Sequence, residues 1–116
     1  MMTRWIAVLG VLAGLVVGAF AAEIPKNKGA EQIPLAGGTQ GVVTFPHYRH
    51  QNALGDCMVC HKLFPQTKGS IAKAQAEGKL EKKQVMNTLC IQCHRDLRDA
   101  GKKAGPVICA KCHKKE

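Results

Sequence analysis

All six cysteines of this 116-residue chain fall into one repeated pattern, C-x-x-C-H, which occurs at residues 57–61, 90–94 and 109–113. Two thiols at this spacing can add to the two vinyl groups of haem, and the adjacent imidazole then reaches the iron. The pattern therefore predicts three covalently attached haem c groups. Their expected attachment residues are Cys57, Cys60, Cys90, Cys93, Cys109 and Cys112, and their expected proximal ligands are His61, His94 and His113.

Zinc sites and disulfides are the other common uses of paired cysteines. Six thiols and three histidines at this spacing match no closed four-ligand zinc set, and zinc does not require a histidine after every second cysteine. A disulfide framework suits a small exported chain but leaves the three histidines unexplained. Redox-active dithiols usually occur singly, beside an alternating strand and helix pattern that this chain lacks. Haem is therefore the favoured interpretation.

The N-terminal segment has the pattern of a secretory signal. Arg4 is followed by an apolar run over residues 6–17, and Ala19 and Ala21 form a small-x-small cleavage site. We therefore expect a cleavable signal peptide over residues 1–22, a single domain over residues 23–116 and a periplasmic location. An uncleaved anchor is the less favoured alternative, because the apolar run is short for a membrane span.

Few apolar residues are available for a protein core. Without residues 1–21, the chain keeps 95 residues, of which 21 are Ile, Leu, Val, Met, Phe or Tyr. A chain this small normally needs a metal, disulfides or another filler. We expect a small multihaem cytochrome fold with little regular core: a short N-terminal two-stranded β element, then a few helices and loops wrapped around three haems. The predicted elements are a strand over 42–45 and helices over 71–77, 80–87 and from 88 towards Gly101.

The charge pattern argues against nucleic acid as a partner. The formal net charge is +9, but the lysines are dispersed, and no basic surface is interleaved with aromatic residues for base stacking. Five lysines lie close in sequence to the third C-x-x-C-H unit. They form either a solvated surface or a docking patch for acidic redox proteins. These residues are Lys102, Lys103, Lys111, Lys114 and Lys115.

Each haem iron has a second axial position, and only two histidines lie outside the C-x-x-C-H units. These are His47 and His50, which come just before the first unit and are expected to bind iron. The third iron needs a different ligand, and Met86 is the best candidate because a thioether is a standard haem ligand. Lys82, Lys83 or an open position are the alternatives.

The segment over residues 41–115 resembles the class III multihaem cytochromes, and within them the trihaem periplasmic "c-seven" branch. The most specific parts are Phe45-Pro46-His47-x-x-His50 and the three haem units. The resemblance implies that His47 pairs with His61 and that His50 pairs with His94. The family has a histidine four residues before the middle unit, where this chain has Met86, so it also implies a third haem held by His113 and Met86.

The same resemblance implies a function. Members carry electrons in the periplasm between respiratory partners such as periplasmic hydrogenases, membrane oxidases or terminal reductases. We therefore expect an electron carrier rather than an enzyme, monomeric, without nucleic acid, and meeting the membrane only through its partners. The rival hypothesis is a haem enzyme or gas sensor in which the third iron keeps an open position.

Overall fold

The computed structural model describes residues 26–115, so the expected signal peptide and its cleavage site lie outside the described residues. No helix in this described range is both long and apolar enough to cross a membrane. The elements, in chain order, are β1 (Ile33–Leu35), a 3-10 turn (Gly38–Gln40), β2 (Val42–Phe45), α1 (His47–Leu54), α2 (Met58–His61), α3 (Ser70–Ala76), a π-helix (Met86–Ile91), α4 (Gln92–Asp99), α5 (Cys109–Cys112) and β3 (His113–Lys114).

The three strands form one antiparallel sheet in the order β1-β2-β3. The predicted N-terminal pair is confirmed, with Pro34 opposite Thr44. The third strand was not predicted, because two residues directly after a C-x-x-C pattern carry no alternation that would indicate a strand. In β3, His113 lies opposite Val43. The sheet therefore joins the last C-x-x-C-H unit to the segment that carries His47 and His50.

Helix α1 begins directly after β2. Pro46 occupies its N-cap position, and Gly55 ends it in a left-handed conformation with φ +67°, donating its N–H to the Gln51 carbonyl. A left-handed residue is a common helix stop because it satisfies one of the last free carbonyls. His47 and His50 thus lie in the first turn of α1, three residues apart and on neighbouring positions of one helix surface.

The predicted helices are partly confirmed. Helix α3 occupies most of its predicted range and begins one residue earlier, at Ser70, with Gly69 at its N-cap. No α-helix spans 80–87, because a turn follows Leu80 and the chain then enters the π-helix at Met86. The helix predicted from residue 88 begins earlier, and the Thr88 hydroxyl donates to the Gln84 carbonyl within the helical run, 2.8 Å away. Met86 and His94 therefore share one continuous helical segment.

The described residues contain very little apolar core. Among residues 26–115, the buried hydrophobic side chains are Leu80, 6% exposed, and Val85, 9% exposed. Both lie between the first and second C-x-x-C-H units. Folded domains normally bury most of their large apolar side chains. The expectation of short elements with little regular core is therefore confirmed.

Candidate haem-binding sites

All five histidines use the same ring nitrogen to contact the backbone. In each case Nδ1 lies within hydrogen-bond distance of a carbonyl oxygen. A metal-binding histidine typically donates one ring N–H in this way, which fixes its orientation and leaves the other nitrogen for the metal. The five rings therefore present Nε2 as their ligand atom. The contacts are His47 to Ala30 (3.0 Å), His50 to Pro46 (2.9 Å), His61 to Phe64 (3.2 Å), His94 to Pro106 (2.7 Å) and His113 to Gly41 (2.9 Å).

Four of these imidazoles meet in two pairs. The ring centres of His47 and His61 are 6.3 Å apart, and those of His50 and His94 are 6.1 Å apart. Two imidazoles bound to opposite sides of one metal have ring centres about 6.2 Å apart, because each metal–nitrogen bond is about 2.0 Å and the ring centre lies about 1.1 Å behind the nitrogen. Both pairs therefore fit the axial ligand set of a haem iron, and they are the pairs that the resemblance implies.

The two pairs differ in the relative orientation of their rings. The planes of His47 and His61 are nearly perpendicular, at 80°, whereas those of His50 and His94 are 26° from parallel. Phe45 helps to orient the second pair, since its ring centre lies 4.3 Å from that of His50. Burial lowers the pKa of His50, although its hydrogen bond to Pro46 acts in the opposite direction. The neutral imidazole that binds a metal is therefore the favoured form.

The six thiols are free of disulfides. Burial raises the pKa of the Cys90 thiol to about 11, and the thiols of Cys60 and Cys112 act in the same direction. Burial also raises the pKa of Cys60, with a further contribution from Cys93. Thiols of the first, second and third units therefore lie near enough to influence one another's ionisation.

The third C-x-x-C-H unit has different surroundings from the first two. His113 lies in β3 and contacts the Gly41 carbonyl, 72 residues earlier in the chain. A cleft of about 450 Å³ adjoins it, lined by Gln40, Cys109, Ala110, His113, Lys114 and Lys115. The other four histidines are engaged in the two pairs, so no imidazole remains to face His113. Met86 is half-buried at the first position of the π-helix.

Glycines allow the backbone to lie against two of the proximal imidazoles. A Cβ on Gly105 would lie 2.5 Å from Cε1 of His94, and a Cβ on Gly37 would overlap Nδ1 of His113 and the Gly41 carbonyl. These approaches bring the carbonyls of Pro106 and Gly41 within reach of the two rings. The sequence analysis missed both glycines. A Gly-Pro pair three residues before a C-x-x-C-H unit was the available signal for Gly105.

The donor set fits haem c. Each C-x-x-C-H unit offers two thiols and one proximal imidazole, and two of the units have a second imidazole at the spacing of a trans ligand. In residues 26–115 no three His, Cys, Asp or Glu side chains converge as a bare metal ion would require, and the histidines meet only in twos.

Comparison with known families supports the same assignment. The model of the class III cytochrome c family matches residues 20–113. The chain belongs to the class III cytochrome c family. A cytochrome c7 from Geobacter metallireducens is 35% identical over 77 residues, which cover 65% of this chain and 67% of that protein. The high-molecular-weight cytochrome c of Nitratidesulfovibrio vulgaris is 31% identical over 132 aligned positions, covering 95% of this chain but only 24% of the longer protein.

Solved class III structures share the fold. PpcC, a cytochrome c7 from Geobacter sulfurreducens, superposes with a TM-score of 0.52 at 31% identity, covering 75% of this chain and all of PpcC. The trihaem cytochrome PpcA from the same organism gives a TM-score of 0.51 at 32% identity, covering 74% of this chain and all of PpcA. The predicted multihaem cytochrome fold is thus confirmed. Class III cytochromes of the c7 type bind haem c and transfer electrons, so the prediction of an electron carrier rather than an enzyme is also confirmed.

Proposed function

We propose that this chain is a periplasmic electron carrier with three covalently attached haems, and that the residues predicted above hold them. Two irons are held by the pairs His47/His61 and His50/His94, and the third by His113 and Met86. The observation that carries this proposal is the trans-ligand spacing of the two imidazole pairs, each beside its own C-x-x-C unit. Bound haem iron supplies a one-electron Fe(III)/Fe(II) couple whose potential depends on its axial ligands.

The assignment of Met86 to the third unit rests on helix geometry. Met86 and Cys90 are the first and fifth residues of the π-helix Met86–Ile91. Residues four apart lie above one another on a helix surface, and the wider turn of a π-helix keeps them close. Cys90 in turn neighbours Cys112 of the third unit. Met86 therefore shares a helix surface with a residue near the third unit, which supports its role as the ligand there.

The exposure of the cysteines indicates where electrons can enter and leave the protein. Cys57 and Cys109, the first cysteines of the first and third units, are exposed, whereas the other four cysteines are half-buried. The first and third units therefore reach the surface, where a partner protein can approach. Thiols of different units influence one another's pKa, which supports short steps between the attached haems. This arrangement suits transfer of electrons from one surface to another.

Two features guide the choice of partner and compartment. The signal-like N-terminus supports export, in which case the redox partners are periplasmic proteins or membrane enzymes with periplasmic domains, such as hydrogenases, membrane oxidases and terminal reductases. Lys111, Lys114 and Lys115 are exposed around the third unit, where they would attract an acidic partner surface and raise its association rate.

The proposal is tested by haem counting followed by spectroscopy of Met86→Leu. Alkaline pyridine difference spectra of the purified holoprotein should give three haems per chain. The oxidised protein should show the weak red charge-transfer band of ferric haem with a sulfur ligand, and Met86→Leu should abolish it and leave one high-spin iron. Met58→Leu is the matched control, since Met58 lies in the first C-x-x-C loop and is 52% exposed.

Each result bears on a separate part of the proposal. A count other than three contradicts the attachment sites. A wild-type spectrum that already contains one high-spin iron and no sulfur band contradicts the role of Met86 and favours a haem enzyme or gas sensor with an open third iron. A sulfur band that survives in Met86→Leu but disappears in Met58→Leu assigns the ligand to the other methionine.

A further inference from the structure

A short segment before β1, residues 28–31, is fastened to α1 at every residue. We call this segment the N-terminal strap. The Lys28 N–H donates to Oε1 of Gln51 (3.0 Å), and Nε2 of Gln51 donates to the Lys28 carbonyl (2.6 Å). The remaining contacts run to the next three carbonyls: from the Tyr48 hydroxyl to Gly29 (2.7 Å), from Nδ1 of His47 to Ala30 (3.0 Å) and from the Tyr48 N–H to Glu31 (3.2 Å).

Gln51 joins the first residue of the strap, Lys28, to α1. Its side-chain amide accepts a hydrogen bond from the Lys28 N–H and donates one to the Lys28 carbonyl. A residue of a neighbouring β-strand forms the same pair of hydrogen bonds. Its Nε2 also lies 3.2 Å from Nε2 and 3.4 Å from Nδ1 of His47. Because these two distances are similar, the amide sits over the ring rather than in line with one nitrogen. Gln51 therefore contacts both the strap and the imidazole that the strap holds.

Gly29 lets the strap lie close to the imidazole. Its φ is +76°, and a Cβ at this position would lie 3.4 Å from Cε1 of His47. The left-handed conformation turns successive carbonyls so that Gly29 faces Tyr48 while Ala30 faces His47. The ring of His47 is thus bordered by the strap backbone, by Gln51 and, 6.0 Å away between ring centres, by Phe45.

His50, the other proposed distal ligand, is not held by the strap. Nδ1 of His50 bonds to Pro46, a residue of its own helix entry, so its orientation depends on local structure alone. His47 instead bonds to a residue 17 positions away, and that residue is in place only while the strap is fastened. A hydrogen bond that fixes a ligand ring is usually important for metal affinity.

From these contacts we infer that the N-terminal strap holds His47 on the first haem iron, and that Gln51 and Tyr48 are positioning residues for this ligand. The inference depends on the proposed ligand role of His47. It assigns a function to residues 28–31, which lie before the segment whose motifs predict haem binding. Loosening the strap should therefore weaken the first distal bond selectively, without opening the second.

The test measures how fast carbon monoxide binds to the reduced holoprotein, since it can bind a six-coordinate iron only after the distal ligand leaves. Gln51→Met keeps the side-chain length but removes both hydrogen bonds to Lys28. Both hydrogen bonds are exposed, and two bonds near the lower end of the ordinary net range correspond to a change of about tenfold in the fraction of dissociated ligand. We expect binding at the first haem to become about tenfold faster, with the second haem unchanged, and Tyr48→Phe to show a smaller change in the same direction.

Gln66→Met is the control, because Gln66 is an exposed glutamine that makes no hydrogen bond to the strap in the described part of the chain. His47→Ala identifies the first haem by its high-spin spectrum. If His47→Ala leaves all irons low-spin, the ligand assignment itself is wrong. If His47→Ala opens one iron but Gln51→Met and Tyr48→Phe bind carbon monoxide at the control rate, only the strap inference is overturned. Equal acceleration at the first and second haems also overturns it, because that indicates general loosening of α1.

Discussion

The first two C-x-x-C-H units and the third differ in the imidazoles that surround them. One turn of α1 supplies both His47 and His50, which face His61 and His94 at ring-centre distances of 6.3 and 6.1 Å. The third unit has no histidine left, and its own His113 is held in a two-residue strand against Gly41. A short helix therefore places one imidazole opposite each of the first two units, whereas the third unit depends on contacts between distant parts of the chain.

The largest expected effect comes from removing one histidine of α1. His50→Ala should leave the second iron five-coordinate and high-spin, because no other described imidazole approaches His94 at that distance. Electron paramagnetic resonance should show which signal is lost. Nearly parallel rings separate the iron d orbitals and give a rhombic low-spin signal, whereas perpendicular rings give a more anisotropic one. His50→Ala should remove the rhombic signal and keep the anisotropic signal of the perpendicular pair at 80°.

Asn52→Ala provides the control for this comparison, since Asn52 is exposed on the same helix. It should leave both low-spin signals intact. Retention of the rhombic signal in His50→Ala contradicts the pairing of His50 with His94. Loss of both signals indicates that α1 has unfolded, and the circular dichroism spectrum separates that result from loss of a single ligand.

The sequence predicted the candidate ligand residues better than the backbone groups that hold them in place. The C-x-x-C-H units predict attachment sites and proximal ligands because covalent haem attachment requires a fixed local spacing, and the two spare histidines are the remaining imidazoles. The carbonyls of Ala30, Pro106 and Gly41 could not be predicted, since any residue carries a carbonyl and only the fold brings these three to the rings. The secondary structure was likewise predictable only where it follows local sequence patterns. Strand β2 and helix α3 follow local patterns, whereas β3 forms only because β2 offers a free edge.

An intermediate effect is expected at the two glycines that contact proximal rings. Gly37→Ala, beside the third unit, places a Cβ against the Gly41 carbonyl as well as His113, whereas the three atoms nearest to a Cβ in Gly105→Ala, beside the second unit, all belong to the His94 ring. Overpacking a tight site costs about 1–3 kcal/mol, and backbone yields less than a side chain. Thermal unfolding of the holoproteins should therefore show a larger loss of stability for Gly37→Ala.

Gly101→Ala is the matched control for these substitutions. A Cβ there meets nothing within 4 Å, and the cost comes only from its positive φ of +71°. That conformational strain amounts to roughly 1 kcal/mol. If Gly105→Ala destabilises more than Gly37→Ala, the third unit is less dependent on close backbone contact than the structure indicates.

The smallest expected effect concerns the surface beside the third unit. Lys114 and Lys115 border the cleft next to His113, and both are exposed. Exposed charges steer partners over long distances but contribute little to stability, so their effect belongs to the association rate. The double variant Lys114→Gln/Lys115→Gln should exchange electrons with an acidic redox protein a few-fold more slowly at low ionic strength. The difference should vanish near 1 M salt, where the screening length is about 3 Å.

Lys62→Gln sharpens the comparison because Lys62 follows His61 directly and is exposed beside the first unit. If the third unit is the entry point for an acidic partner, the double variant slows exchange by more than twice the effect of Lys62→Gln. Equal effects per charge mean that the partner responds only to net charge, which is +9 for the whole chain. If Lys62→Gln has the larger effect, the partner docks at the first unit. The protein would then present its bis-histidine end to this partner and keep the third unit for the next electron transfer.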